Sequence, residues 1–265
     1  MSSILEKIVR SKLGEIEAAK SRQSIDELKV RSRDAPAPVD FLAAINSGDQ
    51  AGKVSLIAEV KKASPSKGVI RPDFDPIAIA TAYAQSGASC ISVLTDEHFF
   101  QGRLEYLQRI RNAVSLPLLR KDFILDEYQV FEARAAGADA VLLIAECLEP
   151  SRMKALHELI NELGMTALVE LYDSKNIPSV LACNPKLVGV NNRDLNTFEI
   201  DLMHSIRVKR SLPDEIAMVS ESGIFTREDV KLMHQNGVDA ILVGESLMRS
   251  ENIQAAVVEL IGNQS

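Results

Sequence analysis

The stretch AGADAVLLI, residues 136–144, joins a helix stop to a buried strand. Gly137 can take the left-handed conformation that ends a helix, and AVLLI is an unbroken apolar run of strand length. The same junction recurs as SGAS (86–89) before CISVL (90–94) and as NGVD (236–239) before AILVG (240–244). Such recurrence marks a repeated strand–helix unit. Working outward, five further β-rich runs appear: VSLIAEV (54–60), PLLRKDF (117–123), TALVE (166–170), KLVGVNN (186–192) and IAMVSES (216–222). That makes eight strands in all. The segments between them, such as DPIAIATAYAQSG, SRMKALHELINELG and TREDVKLMHQNG, have helical spacing and are long enough for parallel crossovers. Eight units favour an α/β fold of closed type, a (β/α)8 TIM barrel, over an open doubly wound sheet. No GxGxxG or GxxxxGK[ST] follows any strand to suggest a dinucleotide or P-loop fold.

The 265 residues are close to the length of such a barrel, roughly 250 residues. The expectation is therefore one domain over 1–265, with the barrel at 54–265 and an N-terminal helical extension at 1–48. That extension shows helical periodicity (Ile4, Leu5, Ile8, Leu13, Ile16), a break at Ala35-Pro36-Ala37-Pro38, then FLAAINSG. It reads as extra helices packed on the barrel.

A chain 46% hydrophobic and 25% charged can bury a sizeable core and keep a solvated surface, which excludes disorder. No apolar run has the length of a membrane span, and the charged N-terminus is not a signal peptide, so no membrane partner and a cytoplasmic location are expected. The net charge of −7 argues against nucleic acid as a partner. Cys90, Cys147 and Cys183 are far apart and read as buried thiols. His98, His157, His204 and His234 read as structural or exposed. Neither set has metal-ligand spacing, so no metal is expected.

Barrel active sites sit at the C-terminal ends of the strands, so polar residues ending apolar strands are candidates. Period-two alternation puts Glu59 and Lys61 on one face with Ile57 beneath them, and Lys121 on one face with Phe123. The later strands end in Glu170, in Asn191 and Arg193, and in Glu221. One such charge is no more than a solvated strand end, but seven converging positions form a cup suited to acid–base chemistry. A lysine partly desolvated among cations is expected to have a lowered pKa, and a glutamate near apolar groups a raised one. Glu221-Ser222-Gly223 and Val243-Gly244-Glu245-Ser246 end the last two strands, where barrels often present backbone N–H groups to phosphate. Glu245 is expected to contribute its N–H rather than its carboxylate. The loop KKASPSKGVIRPDFDP adds Ser64, Ser66, Lys67 and Arg71 and reads as a lid with cationic contacts.

The chain closely resembles the indole-3-glycerol phosphate synthase family. The resemblance rests on IAEVKKASPSKG (57–68), SVLTDEHFFQG (92–102), LLRKDFI (118–124), VNNRDL (190–195) and SESGI (220–224), and it covers essentially the whole chain. It implies a lyase of tryptophan biosynthesis that needs no cofactor. The implied substrate is the phosphorylated small molecule 1-(2-carboxyphenylamino)-1-deoxyribulose 5-phosphate, which closes to indole-3-glycerol phosphate with loss of carbon dioxide and water. It also implies roles: Lys121 as general acid on the ketone oxygen, and Lys61 and Glu170 as acid and base of the dehydration with Glu59 nearby. Asn191, Arg193, Glu221 and Ser222 would orient polar groups, and Phe100, Phe123, Leu142 and Leu195 would form a slot for the aromatic ring. Ser64, Gly223, Gly244 and Glu245 would hold the phosphate. At Glu245 some members carry Ser, which favours a backbone contact there. The implied form is monofunctional, and a monomer open to contact with other tryptophan-pathway enzymes.

Two other readings compete on the residues alone. A Schiff-base aldolase also uses a lysine at a strand end of a phosphate-binding barrel. A barrel that only binds a sugar phosphate, or scaffolds a pathway complex, would lack a complete acid–base set.

Overall fold

The computed structural model describes residues 4–50, 53–194 and 197–262. Eight strands form the barrel: β1 (Ser55–Val60), β2 (Cys90–Leu94), β3 (Leu118–Lys121), β4 (Ala140–Ile144), β5 (Thr166–Leu171), β6 (Leu187–Asn191), β7 (Ala217–Glu221) and β8 (Ala240–Val243). Each pairs in parallel with the next, and β8 pairs with β1, Ser55 opposite Ala240, to close the cylinder. Each strand is followed by a helix, from Pro76–Gln85 after β1 to Ile253–Ile261 after β8. Side chains fix where the helices start. Asp126 and Thr226 each accept a hydrogen bond from a backbone N–H of the first turn, while Gln129 and Asp229 reach back to the cap backbone.

The recurring junction does what its sequence suggests. Gly87, Gly137 and Gly237 have φ of 97°, 87° and 74°, the left-handed conformation that stops a helix. In two of the three copies the following aspartate ties neighbouring strands together. Asp139 Oδ2 accepts from Leu118 N and Asp239 Oδ2 from Met218 N, both at 2.7 Å.

Strand parity sorts the core into two sets. Leu56, Ala58, Ile91, Val93, Val141, Leu143, Val188 and Val190 face outward into the layer beneath the helices. Ile57, Cys90, Leu119, Ala140, Leu142, Leu168, Leu187, Val219, Ala240 and Leu242 face inward and pack together inside the barrel.

The extension forms three helices, α1 (Ile4–Arg22), α2 (Ile25–Asp34) and α3 (Phe41–Gln50), that wrap the barrel from mouth to base. At the base, α3 plugs the floor: Phe41 and Ile45 are fully buried among the inward residues, and Ser55 Oγ donates to Ile45 O at 2.7 Å. Along the side, Arg134 donates to Ala35 O and Pro36 O, and Tyr128 Oη to Ala19 O and Gln23 O. At the mouth, Lys12 Nζ of α1 lies 2.9 Å from Asp96 Oδ2 and from Asp122 Oδ1, in the loops after β2 and β3. The extension is therefore more than added bulk, because α1 forms one wall of the mouth.

Five strands are shorter than the runs their sequence suggests, β1, β3, β6, β7 and β8, and β3 is shortened most. β3 ends at Lys121, because Asp122 accepts from Phe123 N at 2.8 Å and engages Thr95, Arg120 and Lys12 instead of continuing the ladder.

Candidate active site

The upper inward layer is polar. Glu59, Ser92, Lys121, Glu170, Asn191 and Glu221 come from six different strands and lie above the apolar floor; all of them except the fully buried Ser92 line a cavity together with Lys61. Two lysine–carboxylate groups organise it. Lys61, just past the end of β1, holds Glu59 Oε2 at 2.6 Å. Lys121 Nζ stands between Glu170 Oε2 at 3.3 Å and Glu221 Oε2 at 3.4 Å. Asn191 Nδ2 donates to Glu170 Oε1 at 3.4 Å, and Asn191 Oδ1 accepts from Arg193 N at 3.0 Å. The pairing leaves hydrogen-bonding capacity unused: among the described residues, Ser92 Oγ, Glu170 Oε2 and Glu221 Oε1 are buried without a geometrically aligned hydrogen-bond partner.

The electrostatics reverse one expectation. Burial lowers the pKa of Lys121, but the negative charges of Glu170, Glu221 and Glu59 outweigh it and raise the value well above that of a free lysine. The expected lowering presumed neighbouring cations, whereas carboxylates surround this ammonium. Glu221 is pushed above the usual carboxylate range, first by burial and then by the charge of Glu170. For Glu59, burial acts upward but is overcome by Lys61 and Lys121, and it remains ionised.

The same cavity is lined by Phe100, Phe123, Leu142, Arg193, Ser222, Ser64, Gly223, Gly244 and Glu245. The Phe100 and Phe123 ring centroids are 6.2 Å apart and form an apolar wall. Ser222 and Gly223 both have positive φ, 68° and 81°, which turns the chain sharply at the rim. Leu195 lies outside the described residues. The Glu245 carboxylate is engaged within the protein: Arg249 Nε is 3.2 Å from Oε1, Arg193 Nη2 is 3.5 Å from Oε2 and Lys67 Nζ is 3.9 Å from Oε1. Arg71 also turns away from the cavity, donating to Met248 O and Ser250 O.

A protein-family model described as indole-3-glycerol phosphate synthase matches residues 5–260. The chain is 53% identical over 237 residues to the indole-3-glycerol phosphate synthase of Rhodopirellula baltica, covering 89% of this chain and 90% of that one. It is 49% identical to that of Chromobacterium violaceum, over the full length of both.

The chain belongs to the indole-3-glycerol phosphate synthase family.

Similarity in shape extends further than similarity in sequence. A chain from the tryptophan synthase α2β2 complex of Pyrococcus furiosus superposes with a TM-score of 0.59 at 17% identity, covering 80% of this chain and 99% of that one. An N-acetylmannosamine-6-phosphate 2-epimerase from Clostridium perfringens also reaches 0.59, at 15% identity, covering 74% and 89%. These two share the barrel fold.

For a member of the indole-3-glycerol phosphate synthase family, the cavity includes wall residues that strand-end reasoning does not reach. Ile4, Leu5 and Ile8 of α1 line it, as do Phe198 and Phe225 from the loops after β6 and β7. A signal for α1 was present in the sequence: Lys12 sits in register between Ile8 and Ile16, a charge within an apolar stripe that calls for a buried partner. Ser92 was also readable, two residues along β2 from Cys90 and opposite Glu59 in the ladder. The histidines lie elsewhere. His157 is buried against Asn161, His204 Nε2 is 2.7 Å from Tyr172 O, and His98 and His234 are exposed. Cys90 and Cys183 are buried and Cys147 half-buried, all free thiols. Among the described residues, no group of three or more His, Cys, Asp or Glu side chains is placed to hold a metal ion.

Proposed function

We propose that this chain closes the indole ring of 1-(2-carboxyphenylamino)-1-deoxyribulose 5-phosphate, releasing carbon dioxide and water to give indole-3-glycerol phosphate. The observation that carries this is the ammonium of Lys121, fixed 3.3 and 3.4 Å from carboxylates on two different strands beside an aromatic wall. Surrounding carboxylates hold that lysine protonated, which is the state a general acid needs.

In this reading the anthranilate ring rests against Phe100, Phe123 and Leu142, with Ile4, Leu5 and Ile8 closing the slot. Arg193 and Asn191 face the substrate's polar groups. Lys121 gives its proton to the ketone oxygen as the carboxylate-bearing ring carbon attacks, so the charge that develops on oxygen is quenched as it forms. The carbon–carboxylate bond then breaks, carbon dioxide leaves, and its electron pair restores the aromatic ring. Lys61 protonates the departing hydroxyl, which leaves as water, and Glu170 takes the proton from the adjacent carbon as the indole double bond forms. Glu59 holds Lys61 in place through the 2.6 Å ion pair. Ser64, Gly223, Gly244 and the Glu245 backbone N–H are the proposed phosphate contacts; Gly244 has no side chain between the phosphate and the Glu59–Lys61 pair. The Glu245 carboxylate acts here by holding Arg193 and Lys67.

The Schiff-base alternative needs a neutral lysine amine as nucleophile, and the carboxylates around Lys121 oppose that state. Borohydride trapping with substrate is expected to leave no covalent adduct on Lys121 or Lys61, while indole fluorescence develops in the same solution without borohydride. A trapped adduct without fluorescence would favour the aldolase. The presence of acid, base and apolar wall in one cavity supports an enzyme over a passive binder. Among the described residues no helix is long and apolar enough to cross a membrane. A cytoplasmic monomer acting on a free phosphorylated substrate is the reading we adopt.

A further inference from the structure

Gly189 is a glycine with no conformational reason to be one. It sits in the middle of β6, buried, paired with Glu170 of β5 on one side and Val219 of β7 on the other, and its φ lies outside the positive range that favours glycine. Glycine at such a position weakens a strand, and it commonly marks a close approach by another group. Parity turns position 189 inward, one step below Asn191 and one step above Leu187 on β6.

The group that makes the approach is the carboxylate of Glu221. A Cβ on Gly189 would collide with Glu221 Oε1, would sit tightly against Leu168 Cδ1 at 3.3 Å and would make ordinary contact with Glu170 Cα at 3.5 Å. Glu221 Oε1 is also one of the buried atoms with no hydrogen-bond partner, while Oε2 of the same carboxylate contacts Lys121. We propose that Gly189 is a positioning residue: the space left by its missing side chain seats Glu221 beside Glu170 and within reach of Lys121, and any larger residue there displaces Glu221 and mistunes the general acid.

The proposal rests on the function given above, and it separates positioning from folding. The atom in the way is the far end of a flexible side chain, so the chain can yield by moving Glu221. Replacing glycine by alanine where φ is ordinary also restricts the unfolded chain and favours the folded state. Gly189→Ala is therefore expected to fold and to melt at or slightly above the wild-type temperature, yet to lose roughly tenfold or more in kcat, in the range for disturbing an acid–base group. KM should change less. Shortening the displaced side chain should relieve the clash, so Gly189→Ala/Glu221→Asp is expected to turn over faster than Gly189→Ala, although Glu221→Asp alone is slower than wild type.

The experiment is a steady-state kinetic cycle on wild type, both single variants and the double variant, with thermal melts of each. Wild-type kcat in Gly189→Ala, a double variant no faster than Gly189→Ala, or a Gly189→Ala protein that fails to fold would each overturn the proposal. If the wild type itself shows no ring closure, the proposed function has failed instead.

Discussion

The lower and upper halves of the barrel interior are built from the same strands and differ by one step of the ladder. Below, Ile57, Leu119, Leu168, Leu187 and Val219 fill the cylinder, and Phe41 and Ile45 seal it. Above, the inward positions carry Glu59, Ser92, Lys121, Glu170, Asn191 and Glu221, with three buried polar atoms lacking a hydrogen-bond partner. Burial without satisfaction costs stability, so the upper layer is held in place by the lower one, and its unused hydrogen-bonding capacity is directed at a ligand. Stability and chemistry are thus separated by height along the strands, which is how a barrel supports function at one face and stability at the other.

The rim of α1 gives the most severe test of that division, because there a buried charge is fully partnered. Lys12→Met removes the cation between Asp96 and Asp122 and leaves both carboxylates buried. Breaking a buried pair from one side costs about 3–5 kcal/mol. Chemical denaturation should show a loss of that order, and KM should rise as Ile4, Leu5 and Ile8 lose their seat. An unchanged midpoint would mean that α1 is not anchored by Lys12. In the cup, Lys121→Ala and Glu170→Gln should each lower turnover by ~10²-fold or more, with substrate binding less affected. Near-normal turnover in either would remove that residue from the chemistry. On the floor, Ile57→Val should cost only ~0.5–1.5 kcal/mol, measured by denaturation, and leave kcat alone. A large fall in kcat there would show that the halves are not separable.

The finest test concerns pH. Glu221 has a folded-state pKa raised above its ordinary value of 4.5. Its contribution to stability is therefore fully present below the unfolded pKa and is lost as pH rises toward the folded value. Glu221→Gln should melt above wild type at neutral pH, with the gap closing as pH falls below about 4.5. A gap that widens in acid would reverse the assigned sign. The same variant should turn over more slowly, so stability and activity move in opposite directions.

Much of this was legible in the chain because period-two alternation is read directly from residues. CISVL and AVLLI appear with the bounds their sequence gives, and the inward row from Glu59 to Glu221 follows from parity alone. What was not legible depends on distance across the barrel. The charge state of Lys121 is set by carboxylates on β5, β7 and β1, and no local pattern records that they surround it. The end of β3 is set by Asp122 finding Lys12 some 110 positions earlier in the chain (122 − 12). The engagement of the Glu245 carboxylate likewise needs Arg193 and Lys67 brought to it by separate loops. An amphipathic helix such as α1 reads the same wherever it packs, and only the lysine in its apolar stripe hinted at the mouth.

The central claim is that the protonated Lys121, seated between two carboxylates, drives the closure of an indole ring. The most direct measurement is indole fluorescence after mixing 1-(2-carboxyphenylamino)-1-deoxyribulose 5-phosphate with wild type and, in parallel, with Lys121→Ala. The account predicts a rapid rise with wild type and a rate ~10²-fold lower or less with the variant. No rise with wild type, or equal rises in both, would contradict it.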